Sequence, residues 1–214
     1  MKIAYLYYDF LNLYGDSGNI KIISHILKQN KIKHEILYLS LNDKLEFAEY
    51  DLVYIGSGTE NNLLIALENL KKYQKDIKKY IESGKFMLVT GNSLDMFGKK
   101  IDDIKALDIF DYECNKIKRV MDEVYIDSLV TKDKIVGFRN GCYELSKIDY
   151  PLFDSEGVYY KNFFGTHVLG PILVRNPLFL KYFMNKLTNK KLKYDLKLEQ
   201  LAYNTFINNF KINS

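Results

Sequence analysis

The chain has 214 residues, 47% of them apolar and 27% charged, and its net charge of +4 is the small remainder of 31 basic and 27 acidic side chains. That composition supports a hydrophobic core without disulfides or metal. With its lysines scattered in pairs such as Lys71-Lys72 and Lys190-Lys191, it argues against a nucleic-acid-binding stripe. No stretch reaches the ~18 apolar residues of a membrane span, and the first residues lack a signal-peptide pattern. Cys114 and Cys142 stand far apart, in no metal-ligand spacing. The expectation is a cytoplasmic, reduced protein with no cofactor, no metal and no nucleic-acid partner.

Residues 2–8 predict a first, buried strand, followed by a polar, glycine-containing loop over 9–18. Ile20, Ile22, Ile23, Ile26 and Leu27 give residues 19–29 the apolar face of a helix. Residues 34–39 and 51–55 read as the second and third strands, the third ending at Gly56-Ser57-Gly58. A long helix is expected over 61–83, where Leu63, Leu64, Leu67, Leu70, Tyr73, Ile77 and Ile81 recur at helical spacing. Gly84 follows as its C-terminal stop, and residues 85–90 form the fourth strand. Beyond it, strands are expected over 119–128, 134–138 and 158–164, and helices over 177–188 and 194–210.

Strands alternating with helices in this way predict βαβ units and a mostly parallel sheet covered on both faces. Nothing marks a linker, so residues 1–214 read as a single domain. Ligands of such sheets gather beyond the carboxyl ends of the strands. Asp9-Phe10, Gly56-Ser57-Gly58 and Gly91-Asn92-Ser93 all fall at such ends, and the three loops are expected to surround one crevice. The last of them follows the run Phe86-Met87-Leu88-Val89-Thr90, a layout that suits a nucleophile elbow, in which a sharp strand-to-helix turn displays a reactive side chain. The tip of that turn is Gly91, which has no side chain.

Four segments carry a family likeness: residues 11–20 (Leu-Asn-Leu-Tyr-Gly-Asp-Ser-Gly-Asn-Ile), Gly56-Ser57-Gly58-Thr59-Glu60, the elbow ending in Phe97-Gly98, and residues 165–177. Gly137-Phe138-Arg139-Asn140 adds a weaker match. On these segments the chain resembles the class I glutamine amidotransferases of the cobyric acid synthase type, and within them the glutaminase subunits of lipid II isoglutaminyl synthases. The resemblance implies a flavodoxin-like α/β sandwich. It also implies glutamine hydrolysis by a cysteine and a histidine, with backbone N–H groups stabilising the oxyanion. It further implies that the ammonia passes to a partner enzyme that has activated a carboxylate.

The carry-over of residues breaks at the centre. The family's cysteine falls on Gly91, its histidine on Leu169, and the polar residue four after the cysteine on Asp95. Ser57 stands within a run that is three glycines in the family. The oxyanion donors match the N–H groups of Asn92 and of Ser57 or Gly58, and the arginine that holds the substrate carboxylate matches Arg119. Among substitutes, Ser93 reads as a helix N-cap rather than a nucleophile. Cys142 and Cys114 read as thiols without a role. His167, two residues before Leu169, would face the same way from a strand at a displacement of about 7 Å, and is a candidate pocket residue. Asp9, Asp16 and Asp95 carry no metal spacing.

The expectation is therefore an amidotransferase-like subunit without glutaminase activity, acting as a binding or structural partner of a Mur-ligase-like protein, with glutamine or another small molecule as a further ligand. Two alternatives are an active glutaminase subunit for cell-wall precursor or cobyrinate-type amidation, and a stand-alone small-molecule-binding module of flavodoxin-like form.

Overall fold

The structure is a computed structural model that describes residues 1–213, with side chains to residue 210. Its main sheet has six strands. β1 (Lys2–Leu6), β2 (Glu35–Leu39), β3 (Leu52–Ile55) and β4 (Phe86–Thr90) come from the first half of the chain, and β9 (Val158–Tyr160) and β10 (Phe163–Thr166) from the second. Their order is β2-β1-β3-β4-β10-β9; all are parallel except the edge strand β9. The period of two along a strand sends alternate residues to opposite layers. Ala4, Leu6, Val53 and Ile55 pack under α2 (Glu60–Lys71) and α3 (Gln74–Glu82). Ile3, Tyr5, Leu52 and Tyr54 pack on the other side, under α1 (Ser17–Gln29) and α5 (Pro177–Thr188). A flavodoxin-like α/β sandwich is the result.

The helix expected over 61–83 is two helices. Tyr73, at φ −109° and ψ 12°, leaves the helical conformation between α2 and α3. Its ring packs 6.1 Å from that of Phe47 and its hydroxyl accepts from the Leu45 N–H, so an aromatic anchor on the neighbouring loop sets the break. The apolar period runs through unchanged because both helices cover the same face. The strand expected over 158–164 is likewise two: the chain reverses at Lys161, whose φ is +53°, and the halves pair as the antiparallel hairpin β9–β10.

The second half also builds a smaller sheet, ordered β6-β5-β7-β8. It consists of the short strands β5 (Lys100–Ile101) and β6 (Ile104–Lys105) and the long pair β7 (Glu113–Asp127) and β8 (Lys134–Leu145). Both long strands extend well past the bounds read from sequence, because their distal parts are paired mostly with each other and carry polar residues. Lys116 pairs with Tyr143 but Val120 with Gly141, so β7 bulges through residues 117–119, opposite Cys142. Such a bulge re-aims the side chains it carries, and Arg119 is one of them. Phe138 of β8 exchanges two backbone hydrogen bonds with Leu169, which docks the hairpin against the carboxyl end of the main sheet. The short α4 (Ile172–Arg175) precedes α5, and α6 (Lys197–Asn213) closes the chain, starting three residues later than read from the pattern.

Gly84 ends α3 at φ +78°, its N–H bonded to the Ile81 carbonyl. A Cβ there would meet nothing nearer than the Asn162 Nδ2 at 4.0 Å. Only backbone strain is at stake, so Gly84→Ala is expected to lower unfolding stability by about 1 kcal/mol and Gly84→Asn by less. Urea denaturation of the three proteins checks this.

Candidate functional site

Gly91 ends β4 at φ +66°, in the left-handed region, and begins a 3₁₀ turn over Gly91–Phe97. The elbow geometry is therefore present. What surrounds it is not open space. A Cβ built on Gly91 would lie 2.4 Å from the Ser57 Oγ, 2.5 Å from the Ser57 Cβ and 2.7 Å from the Leu169 Cδ2. Ser57 and Leu169 are both almost fully buried. The two side chains meet over the bare glycine and fill the volume that a side chain at this position would take.

The three loops predicted to surround a crevice are tied to one another at the elbow; Gly58 and Asn92 line a cleft beside it, whereas Asp9 and Phe10 do not. The Leu13 N–H donates to the Ser57 carbonyl, and the Asn62 Nδ2 donates to the Phe10 carbonyl. Asn92 ties the second loop to the third: its Oδ1 accepts from the Ser57 Oγ and the Gly58 N–H, both at 3.2 Å, and its Nδ2 donates to the Gly58 carbonyl at 2.9 Å. The Ser57 N–H donates to the Asp16 Oδ2 at 2.7 Å. Both N–H groups matched to oxyanion donors in the 56–58 loop thus already have carbonyl or carboxylate acceptors. Asp9 lies apart, exposed and bonded to the Ser40 hydroxyl.

Asp16 stands at the N-cap of α1 but does not cap it. Its buried carboxyl turns inward and also accepts from the Thr90 and Tyr54 hydroxyls. Burial pushes its pKa up to about 7, even though Ser57, Thr90 and Tyr54 all donate to it. Ser93 is not an N-cap either. Thr90 holds that place, and Ser93 sits inside the turn, fully buried, donating to the Gly56 carbonyl at 2.5 Å. The segment is a 3₁₀ turn that begins at Gly91, which makes Ser93 its third residue rather than the residue before it.

Beside this closed elbow, under the β7–β8 hairpin, lies a cleft of about 90 Å³. That holds a few water molecules, against ~300–1,000 Å³ for small-molecule sites. Gly58, Asn92, Asp95, Arg119, Cys142 and His167 all line it. Arg119 pairs with Glu60 in the first turn of α2, and its Nη1 donates to the Asn140 Oδ1 at 2.8 Å. Asn140 in turn donates to the Tyr14 hydroxyl. The guanidinium matched to a substrate carboxylate is thus engaged by a carboxylate of its own chain. The Cys142 Sγ lies 3.4 Å from the Glu60 Oε1; burial and that carboxylate raise its pKa. Cys114 is buried elsewhere, and burial pushes its thiol up further.

His167 follows the end of β10, so strand alternation does not govern its direction. It is buried between two acids: its Nε2 is 2.8 Å from the Asp95 Oδ1 and its Nδ1 3.5 Å from the Glu156 Oε1. Glu156 also accepts from the His167 N–H and the Thr166 hydroxyl, both at 2.6 Å. Burial disfavours the imidazolium, but Asp95 and Glu156 outweigh it and raise the pKa to about 9. At neutral pH the ring is a cation with both nitrogens engaged, not a base. A nucleophile needs a base in hydrogen-bond reach. Ser57 and Ser93 each donate to a side-chain or backbone oxygen, and Cys142 faces Glu60 as a thiol.

Sequence reasoning missed Tyr14, Glu60, Arg139 and Glu156 as groups facing this region. Arg139 and Asn140 lay in a run already matched to the family. Glu156 carried no signal, because its role depends on the turn at residues 154–157 folding back onto Thr166.

Two expectations follow. Gly91→Ala introduces both a positive-φ penalty of ~1–3 kcal/mol and overpacking against Ser57 of ~1–3 kcal/mol. Ser57→Gly in the same chain should recover the second part, leaving a favourable coupling of about 1 kcal/mol or more in a double-mutant cycle read by urea denaturation. His167, at a folded pKa of about 9 against 6.5 unperturbed, contributes stability that is full below pH 6.5 and lost as pH rises through 9. Asp16 acts in the same direction at lower pH, between 3.8 and about 7. The melting temperature should therefore fall between pH 6.5 and 9 in the native chain, and His167→Gln should flatten that part of the profile only.

No family model matches the chain. It is 29% identical over 209 residues to "Lipid II isoglutaminyl synthase (glutamine-hydrolyzing) subunit GatD" of Staphylococcus aureus (strain N315), covering 89% of this chain and 86% of that protein. It is 27% identical over an alignment of 221 residues to the protein of the same name from Streptococcus pneumoniae (strain ATCC BAA-255 / R6), covering 92% and 84%. Among solved structures it is similar to a glutamine amidotransferase from Thermotoga maritima, with a TM-score of 0.57 and 14% identity over 96% of this chain and 89% of that one. The chain thus has the fold of a class I glutamine amidotransferase and is similar over most of its length to glutaminase subunits of lipid II isoglutaminyl synthase.

Proposed function

We propose that the chain is an amidotransferase-like subunit that does not hydrolyse glutamine, and that it acts in the cytoplasm as a binding or structural partner of a Mur-ligase-like protein. The observation that carries this reading is the filled elbow: Gly91 at φ +66°, with Ser57 and Leu169 occupying the space over it. The sequence likeness to subunits named for lipid II isoglutaminyl synthesis supports the choice of partner class. A glutaminase needs an activated nucleophile, a base and free oxyanion donors. Here the hydroxyls of Ser57 and Ser93 are engaged, the Ser57 and Gly58 N–H groups have intramolecular acceptors, and Arg119 is paired with Glu60. A bare elbow, with the Ser57 and Gly58 donors and Arg119 turned to partners within the chain, fits a subunit kept for its surface.

One observation favours a second reading, a working glutaminase. Cys142, His167 and Asp95 line the same cleft, which is a thiol and a histidine–carboxylate pair brought together from distant parts of the chain. The raised pKa values of Cys142 and His167 weigh against it, since they leave a thiol and an imidazolium rather than a thiolate and a base. The stand-alone small-molecule module has less support, since the cleft beside the elbow holds only about 90 Å³.

Glutamate release from glutamine, measured on the purified chain alone and with a Mur-ligase-like enzyme encoded beside it, should stay at the level of buffer. Turnover abolished by Cys142→Ala would install the second reading; turnover that survives Cys142→Ala and Ser93→Ala would point to a nucleophile in the partner.

A further inference from the structure

The helices that follow the parallel strands run back toward the strands' starts, so α1 and α5 both end at the pole of the sheet opposite the elbow. There they are joined. The Asn30 Nδ2 donates to the Lys193 carbonyl at 2.9 Å, and the Lys193 N–H donates to the Asn30 Oδ1 at 2.8 Å. The Met1 nitrogen donates to the Lys33 carbonyl at 3.1 Å, which places the same surface beside the start of β1. Residues 28–35 and 190–201, far apart in sequence, thus share one face.

That face is basic. Lys28, Lys31 and Lys33 lie on its first part and Lys190, Lys191 and Lys193 on its second, all exposed, and exposed Lys197 opens α6 beside them. Against these seven lysines the two segments carry three acids, Glu35, Asp195 and Glu199; the excess of four equals the net charge of the whole chain. Among the described residues none of the seven is ion-paired. A cation in a last turn complements the helix dipole, which accounts for Lys28. Lys31, Lys33, Lys190, Lys191 and Lys193 lie beyond the ends of α1 and α5, and Lys197 stands at the N-terminal end of α6, where the dipole disfavours it. The helical layer on the other side of the sheet instead interleaves its lysines with Glu68, Asp76 and Glu82. α6 adds an apolar element: Leu198 and Leu201, three residues apart and so on one side of the helix, are 74% and 64% exposed.

We propose that this face docks on an anionic lipid surface, with the lysines reaching headgroup phosphates and Leu198 and Leu201 entering the boundary between headgroups and acyl chains. Lysine clusters of this size beside exposed apolar side chains are what such a surface attracts, and the long lysine stems keep their charges at headgroup level. Among the described residues no helix is long and apolar enough to cross a membrane, so the contact is peripheral. A protein partner fits the face less well, because lysine is depleted in protein–protein interfaces. Nucleic acid also fits less well: neither segment holds an arginine to fork onto phosphates or base edges, and two exposed leucines gain nothing from a phosphate backbone. Docked in this way, the elbow end of the sheet points away from the lipid. The inference does not depend on whether the chain hydrolyses glutamine.

The test is co-sedimentation of the full chain with vesicles of equal parts phosphatidylglycerol and phosphatidylcholine, compared with phosphatidylcholine vesicles and with titration of a short DNA duplex. The expected result is saturable binding to the anionic vesicles that is about tenfold or more tighter than to phosphatidylcholine and weakens as salt is raised to about 0.5 M. Lys31→Gln/Lys33→Gln/Lys191→Gln should weaken it by about tenfold or more. Lys72→Gln/Lys75→Gln/Lys78→Gln removes the same charge from exposed positions on the opposite layer and should leave binding within about twofold of native, since those lysines stand more than a screening length from the lipid. Leu198→Ser/Leu201→Ser should weaken vesicle binding by about fivefold or more. All eight positions are exposed, and circular dichroism checks that each variant is folded. No preference for anionic vesicles, an equal loss in the two lysine triples, native vesicle binding in the leucine variant, or tighter binding to DNA than to the anionic vesicles would each overturn the proposal.

Discussion

Where β4 turns into its 3₁₀ segment, the backbone leaves no room for a side chain, and the hydroxymethyl group of Ser57 takes that room. At φ +66° a non-glycine residue would carry ~1–3 kcal/mol of strain, so the glycine removes a penalty. Ser57 converts the space gained into packing, with Leu169 closing the other side. Asn92 then bonds to both Ser57 and Gly58, and Asp16 holds the Ser57 N–H from beneath. Each of these contacts uses a group that an open elbow would present to a substrate. The three loops at the carboxyl end of the sheet are cross-tied into one packed layer.

The charges around this layer follow the same logic. Arg119 is satisfied by Glu60 and Asn140, and His167 by Asp95 and Glu156. A buried imidazolium between two carboxylates is costly to dismantle and changes charge only well above neutrality. It stabilises the junction between the turn after β4 and the segment after β10 without offering a proton acceptor.

Much of this was legible in the sequence, and the failures have physical causes. The first four strands and the bounds of α5 follow from apolar runs and from Pro177. The elbow and its bare tip were readable from residues 86–98, and Leu169 from the run that matches the family. The break at Tyr73 was hidden because α2 and α3 bury the same face, so the period of apolar residues does not register the interruption. The hairpin at Lys161 was hidden for a related reason: the run from Val158 to Phe164 is apolar enough to read as one strand, and no glycine or proline marks the reversal. Ser57 was legible as a departure from three glycines, but not as the occupant of the elbow, because nothing in the sequence places residue 57 against residue 91. The same holds for Glu156, whose partners come from Thr166 and His167 only after the turn folds back.

The central claim is that no nucleophile at the elbow can reach a glutamine-sized substrate. Incubation of the purified chain with a diazo-ketone analogue of glutamine, followed by intact-mass and peptide mass spectrometry, tests it directly. The account predicts no stoichiometric adduct. A stoichiometric adduct on Ser57, Ser93 or Cys142 that excess glutamine prevents would contradict it.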